Sequence, residues 1–367
     1  MIIFPKHIQE ISPYIGGMPI EELSRKIDIP VDQIIKLASN ENPLGISDKA
    51  KLILRQYQDT NLYPDGASFY LINALAEKFN LKDKNIIIGN GSNDILEIAA
   101  RSIAGPGDEV IFSEHAFAVY SIVTKGIGAL AIEVPSKAYH HNLDQFLDLI
   151  TNNTKLIFIA NPNNPTGTLI PKDTLFNFIK NVPDRIMIVL DEAYDEYLSD
   201  ENKSDAFSWI NQFDNLLISR SFSKAYGLAG LRVGYGVASE QIISVMNRIR
   251  QPFNVNSYAQ LAAVESLKDK EFVIKTYNLN AQEKALLEKN FEELNIEYIP
   301  SYGNFISFSL GNADKAKRCF EFLLHKGVIL RPINNYNMPC FLRVSIGLTE
   351  ENNIFINYLK EFLRLDK

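Results

Sequence analysis

Ser221-Phe222-Ser223-Lys224-Ala225-Tyr226-Gly227-Leu228-Ala229-Gly230-Leu231-Arg232 sets one lysine between two small hydroxyl residues and a downstream arginine, in an otherwise apolar, glycine-containing run. A buried amine costs free energy unless it is neutralised, paired or used chemically. Taken alone, the window reads equally well as a surface lysine at a helix end. What precedes it decides the fold. Leu216–Ser219 is a short apolar run, and similar runs recur at Ile86–Ile88, Val110–Phe112, Leu130–Val134, Leu156–Ala160, Ile186–Leu190 and Val233–Val237. Helical patterns lie between most of them, as at Ile95–Ile103 and Leu175–Lys180. Runs that are apolar throughout and separated by helices predict an α/β unit with a mostly parallel seven-stranded sheet covered on both faces.

Outside this core, Ile20–Ile27, Asp48–Tyr57 and Ser68–Phe79 carry helical patterns, and a nearly continuous one from Tyr258 to Leu294 reads as a long connector. The tail predicts strands at Asn304–Leu310, Val328–Arg331 and Phe341–Ile346, with helices at Ala313–His325 and Glu350–Leu365. That α+β pattern predicts a second, smaller domain. A chain of 367 residues suits such a division. The larger domain is set at 30–270, and the smaller at 1–29 with 271–367.

Composition is that of a soluble globular protein, 46% hydrophobic and 22% charged, and the net charge of −7 argues against nucleic acid or an anionic membrane as partner. No apolar stretch approaches the roughly 20 residues of a membrane span. The opening Met1-Ile2-Ile3-Phe4-Pro5-Lys6-His7 has no basic segment followed by a long apolar run, so no secretory signal is expected. Two cysteines, Cys319 and Cys340, without CxxC spacing, fit a reducing compartment, and a cytoplasmic protein is expected. Five histidines without ligand spacing predict no metal site.

In parallel sheets, ligands bind beyond the carboxyl ends of the strands. After Ile86–Ile88 comes Gly89-Asn90-Gly91-Ser92-Asn93-Asp94, where glycines before a helix start can cup a phosphate. The stretch is nearly GxGxxG, and Glu114 lies about 20 residues on, where a dinucleotide fold places its ribose acid. The third glycine is replaced by an acid, so a nucleotide site, another phosphate site and a plain tight turn all stay open. Phe117 and Tyr120 follow Val110–Phe112 and suit either ring stacking or core packing. Asn161-Pro162-Asn163-Asn164-Pro165-Thr166-Gly167 is a rigid turn able to present an amide at a fixed position. Asp191-Glu192-Ala193-Tyr194 ends a buried run with carboxylates, which need a partner, a helix to cap or a chemical task.

Together these strand ends supply a phosphate cup, a stacking aromatic, an asparagine, an acid, a tyrosine, an amine and an arginine. That inventory matches pyridoxal 5′-phosphate. The lysine forms a Schiff base with the aldehyde, and the acid keeps the pyridine nitrogen protonated so that the ring accepts electrons.

The motifs NPNNPTG, DEAY and SFSKAYGLAGLRVGYG, in this order, resemble the fold-type I, class II pyridoxal-phosphate-dependent aminotransferases. The resemblance narrows to the histidinol-phosphate aminotransferase family through Pro13-Tyr14-Ile15-Gly16-Gly17, Leu37-Ala38-Ser39-Asn40-Glu41-Asn42-Pro43-Leu44-Gly45, Tyr63-Pro64-Asp65-Gly66, Asn304-Phe305 and Gly327-Val328-Ile329-Leu330-Arg331. It implies Lys224 as Schiff-base lysine and proton shuttle, Asp191 as partner of the pyridine nitrogen, and Asn164 and Tyr194 as partners of the ring hydroxyl. Phe117 takes the stacking position. Ser92 and Asn93 match the phosphate cup, with Ser221, Ser223 and Arg232 on the other side of that phosphate. Relatives often differ at Ser221, Ser92 and Asn93, which favours backbone over side-chain roles there. Tyr63 resembles a tyrosine lent to the neighbouring subunit's cofactor, which implies a homodimer. Arg343 matches the arginine that holds the substrate anion, with Arg331, Tyr14 and Asn40 at further substrate-side positions.

The implied reaction is transamination from L-histidinol phosphate to 2-oxoglutarate, in histidine biosynthesis. Arginine pairs with phosphate and carboxylate alike, so an aromatic amino-acid aminotransferase and a phosphothreonine decarboxylase are the alternatives within the same cofactor class. A regulatory module with an aminotransferase-like sensor would need a DNA-binding region ahead of it, where only about 35 residues stand. A nicotinamide dehydrogenase rests on the imperfect glycine motif alone.

Overall fold

The computed structural model describes residues 2–366. After a short strand, β1 (Ile35–Lys36), come β2 (Ile86–Gly89), β3 (Glu109–Ser113), β4 (Leu130–Val134), β5 (Thr154–Ala160), β6 (Met187–Asp191), β7 (Leu216–Ser221) and β8 (Gly234–Ala238). The last seven form one sheet in the order β2-β8-β7-β6-β5-β3-β4. β8 runs antiparallel to β2 and β7, whereas β3 to β7 pair in parallel. The seven apolar runs of the sequence are these seven strands. β6, β7 and β8 are buried at every position. Successive side chains on a strand point to opposite faces, and each face meets its own core. Ile157, Ile188 and Ile218 pack on one side, and Phe158, Val189 and Leu217 on the other.

Beyond the sheet, β9 (Tyr298–Ile299), β10 (Phe305–Ser309), β11 (Val328–Ile329), β12 (Arg331–Pro332) and β13 (Phe341–Ser345) follow. Four of them make an antiparallel sheet, β12-β13-β10-β9, packed with the helices Ala313–His325 and Thr349–Leu365 around Phe291, Phe308 and Phe355. β1 pairs in parallel with β11, so residues 35–36 join this smaller α+β layer although they fall within the range 30–270.

Two expectations change. The connector is broken into Ser257–Leu267 and Lys270–Glu293, because the Asp269 carboxylate accepts from Phe272 N at 3.2 Å and starts a new helix. Val328–Arg331 is not one strand: the chain changes partners at Leu330, from β1 to β13. Pro332 has no N–H for a second neighbour and lies on an edge strand. That switch brings Arg331 towards the end of the large sheet.

Candidate active site

The carboxyl ends of β2, β5, β6 and β7 open onto one cleft of about 230 Å³, closed from the other side by β12, β13 and residues 37–42. Lys224 stands there just past β7, its Nζ donating to Ser39 O at 3.1 Å. Burial pushes the amine down to about 8, assisted by the positive charges of Arg343 and Arg232 and opposed by Glu41 and Asp191.

Asp191 is the last residue of β6 and is buried. Its Oδ2 accepts from the Tyr120 hydroxyl at 2.9 Å, while Oδ1 has no side-chain hydrogen-bond partner among the described residues. Burial raises the carboxyl to about 6, and the Tyr120 hydrogen bond and Lys224 hold it from rising further. Glu192, one residue on, turns to the other side of the sheet and binds Arg220 through Nε at 3.0 Å and Nη2 at 2.8 Å. Of the two adjacent acids, one has a protein partner and the other faces the cleft. Tyr194 accepts from Asn40 Nδ2 at 2.9 Å, and burial pushes its phenol up to about 12.

The asparagine-rich turn divides its work. Asn161 closes on Ile170 through both ends of its amide, and Asn163 donates to His115 O and to Thr166 Oγ1, both at 2.8 Å. Asn164 faces the cleft, its Oδ1 accepting from Arg343 Nη1.

The glycine turn after β2 is built for an anion. Gly91 has φ +80° and precedes the helix Ser92–Ile103, so Ser92 and Asn93 form that helix's first turn. A Cβ on Gly91 would collide with the Arg232 guanidinium, and one on Gly234 of β8 would sit 2.5 Å from Ser92 N. Missing side chains at both positions let arginine and helix start converge. Arg232 Nη1 also donates to Ser223 Oγ at 3.2 Å, and Ser221 Oγ accepts from Ser223 N at 3.0 Å. The acid that replaced the third glycine, Asp94, accepts from Asn90 N at 2.8 Å and Asn254 Nδ2 at 2.7 Å. Glu114 is tied to Ser136 N and Oγ at 2.8 and 2.9 Å. Both acids thus brace loops, and the dinucleotide reading loses its ribose partner.

On the remaining side, Arg343 Nη2 donates to Ala38 O at 2.9 Å, while the buried Nε has no partner among the described residues. The Arg331 guanidinium lies 5.4 Å over the Tyr14 ring. Phe117 also lines the cleft, edge-on to Tyr120 at 6.0 Å. Asn40 borders it too, but its amide is bonded to Tyr194 and Ser345. Tyr63 lies outside, 83% exposed and stacked on Phe253 at 4.8 Å. Tyr120, offered by the sequence only as a stacking or core aromatic, and Tyr336, Ser39 and Glu41, for which it offered no role, are also on the cleft wall. The three-residue spacing of Tyr120 from Phe117, one helical turn, was the available signal for the first.

An amine with lowered proton affinity, a buried carboxylate oxygen without a partner and an anion cup, at the strand ends of this sheet, fit pyridoxal 5′-phosphate and define a fold-type I site for it. The family model described as "Aminotransferase class I and II" matches residues 32–356. Histidinol-phosphate aminotransferase of Methylobacillus flagellatus is 52% identical over 361 residues, 98% of this chain and 97% of that protein. Histidinol-phosphate aminotransferase 2 of Ralstonia nicotianae is 49% identical, covering 98% and 96%. The crystal structure of histidinol-phosphate aminotransferase from Sinorhizobium meliloti in complex with pyridoxal-5′-phosphate superposes with a TM-score of 0.92 at 26% identity, over 99% of this chain and 98% of that one. The chain belongs to the histidinol-phosphate aminotransferase family, within the class I and II aminotransferases.

Proposed function

We propose that the protein moves the amino group of L-histidinol phosphate to 2-oxoglutarate, giving imidazole-acetol phosphate and L-glutamate, as a step of histidine biosynthesis. The observation that carries this reading is that two guanidiniums, Arg343 and Arg331, line the same cleft as Lys224 and Asp191. A phosphate-bearing amine and a dicarboxylate oxo acid each bring an anion for them.

Pyridoxal 5′-phosphate, when bound, supplies an aldehyde that captures amines and a ring that withdraws electrons from the substrate carbon. The chain's own residues do the rest. Asp191 would hold the protonated ring nitrogen, Asn164 and Tyr194 would hold the ring oxygen, and Phe117 would cover the ring face. The helix start at Ser92 and Asn93, with Ser221, Ser223 and Arg232, holds the phosphate. Lys224 Nζ takes the proton from the substrate carbon that bears nitrogen, and returns it in the reverse half of the cycle. Burial and the neighbouring guanidiniums lower the amine's proton affinity, which favours the neutral form a base needs. Tyr14 lies over Arg331 and restricts what fits beside the two arginines.

Two wider assignments belong to the same proposal. The chain divides at 30–270 against 1–29 with 271–367, save that residues 35–36 pair with the smaller domain, and it acts as a cytoplasmic homodimer. For the dimer the support is an exposed apolar surface at Leu62, Tyr63, Phe69, Tyr70 and Phe253, which a second copy would cover.

Single-turnover reaction of the cofactor-loaded enzyme, followed by loss of the visible cofactor band, tests the substrate. Histidinol phosphate should react faster than phenylalanine or phosphothreonine. Faster reaction with phenylalanine makes the enzyme an aromatic aminotransferase, and carbon dioxide release from phosphothreonine makes it a decarboxylase.

A further inference from the structure

Asn40 and Ser345 lie behind Tyr194, one on the segment between the sheets and the other at the end of β13. Asn40 is 1% exposed and has φ +55°, and Ser345 is 3% exposed. The Asn40 backbone N–H donates to Ser345 Oγ at 2.8 Å. Ser345 Oγ in turn lies 3.1 Å from Asn40 Oδ1, and Asn40 Nδ2 lies 2.9 Å from the Tyr194 hydroxyl.

These contacts fix where each proton points. A backbone N–H only donates, so the serine oxygen accepts there. A hydroxyl oxygen can accept twice, so what orients the amide is the serine's own hydrogen, which among the described residues finds no acceptor but Asn40 Oδ1. With that end of the amide identified as oxygen, the other end is NH₂, which only donates. Tyr194 therefore receives a hydrogen bond from behind and keeps its own hydrogen for the cleft. The orientation of an amide is normally a matter of inference from its surroundings; here the buried Ser345 hydroxyl, with Asn40 Oδ1 as its one acceptor among the described residues, sets it. The Asn40 carbonyl is held as well, accepting from Asn304 Nδ2 at 3.0 Å.

We infer that Ser345 and Asn40 form a relay that commits Tyr194 to donate its hydroxyl hydrogen to the cofactor's ring oxygen. Both are positioning residues that act through Tyr194, and the inference rests on the reading of this cleft as the cofactor site. With the amide reversed, Tyr194 would donate to Asn40 Oδ1 and present only a lone pair to an electron-rich oxygen. Donation stabilises the ring oxygen as an anion, so the bound cofactor gives up its proton at lower pH. The relay also joins β13, which carries Arg343, to the tyrosine.

The test is a pH titration of the visible absorption of the cofactor-loaded protein, with no substrate present. Ser345→Ala unlocks the amide, and Asn40→Gly removes it while tolerating the left-handed backbone. Each should move the titration midpoint upward by about one pH unit, a tenfold rise in proton affinity. Ser345→Thr, which keeps the hydroxyl, should restore the wild-type midpoint. Tyr194→Phe should shift it at least as far as Ser345→Ala, and adding Ser345→Ala to Tyr194→Phe should shift it no further. A wild-type midpoint in loaded Ser345→Ala or Asn40→Gly overturns the relay, as does full additivity with Tyr194→Phe. If Ser345→Ala does not fold, Asn40→Gly carries the same expectation alone. A wild-type protein that takes up no cofactor and shows no visible band overturns the cofactor reading itself, and a band whose wild-type midpoint is no lower than that of Tyr194→Phe overturns the relay alone.

Discussion

Lys224 and Asp191 face one another across the cleft with opposite perturbations: burial lowers the amine to about 8 and raises the acid to about 6. Each is thereby biased towards its neutral form, which the cofactor's own charge would reverse at Asp191. The Tyr120 hydroxyl is the side-chain donor to that carboxylate, with the Ala193 backbone N–H beside it. Burial and the neighbouring Asp191 charge keep the phenol protonated. Tyr120→Phe removes a hydrogen bond to a charged group, on the order of 1.5–3 kcal/mol, and raises the Asp191 pKa further. Cofactor affinity, measured by equilibrium titration of the cofactor-free protein at pH 7, should fall roughly tenfold to a hundredfold, and more steeply as pH drops. An unchanged affinity would show that Asp191 needs no help from Tyr120. Lys224 gives a second expectation, in the cofactor-free state. Its folded affinity lies below the unfolded value of 10.5, so the folded state binds fewer protons between about 8 and 10.5. The amine therefore destabilises the fold fully below pH 8, and less as pH rises towards 10.5. Lys224→Met should stabilise the cofactor-free protein by about 3 kcal/mol at pH 7, with the gain fading above pH 8, as read from denaturant midpoints across pH. A gain independent of pH would point to packing instead of charge. At this scale the sequence was most legible where chemistry and position coincide. Lys224, Asp191 and Asn164 each follow an apolar run and carry groups that need a reason to be there. Tyr120 was not legible, because an aromatic three residues after another suits core packing equally well, and only the 2.9 Å contact identifies the work of its hydroxyl.

Strands set which way each of these residues faces. Along β7 and its exit, Ser219, Arg220 and Ser221 alternate, and Arg220 points away from the cleft. There it is 7% exposed, bonded to Glu192 and, through Nη1 at 2.9 Å, to Asp195, with its guanidinium 4.2 Å over Phe207. Glu192 also accepts from Ser204. Residues 192 and 195 bracket Tyr194 and follow Asp191, so this buried ion cluster ties the end of β6 to the end of β7 from behind the site. Removing one partner leaves buried charge unpaired. Arg220→Met should lower unfolding stability by about 3–5 kcal/mol, and Arg220→Met with Glu192→Gln and Asp195→Asn should lower it less than the single change does. A single variant with a wild-type denaturant midpoint would refute this account. Elements were the most legible scale of all, since seven apolar runs became seven strands. The failures were local and have local causes. A helical pattern continues through Asp269 in composition, but an aspartate able to cap ends one helix and starts the next. The run Val328–Arg331 looks like one strand, because nothing in four residues says that the two halves pair with different neighbours.

At the scale of the whole molecule, one assigned residue has no place in its own cleft. Tyr63 is 83% exposed and stacks on Phe253, itself 46% exposed, while Tyr70 at 75% meets Phe69 at 59% edge-on. Single apolar residues on a surface need no explanation, but a cluster of aromatic ones does. In a two-fold dimer one patch covers its own counterpart, and a tyrosine there can reach the partner's cleft. The sequence offered Tyr63 only through resemblance, because no property of one chain states what another chain contributes. The arrangement has a consequence that a self-contained subunit cannot imitate. In a dimer with Tyr63→Phe on one subunit and Lys224→Ala on the other, the subunit that keeps Lys224 receives an intact tyrosine from its partner, so one site is complete. If Tyr63 served its own subunit, both sites would be defective. The two variants, carried on differently tagged chains, co-expressed and purified through both tags, should give about half the wild-type turnover per dimer, while each parent homodimer falls well below that. Turnover no higher than that of the Tyr63→Phe parent would place Tyr63 outside its partner's chemistry, and a protein that sediments as a monomer at assay concentration would remove the shared site altogether.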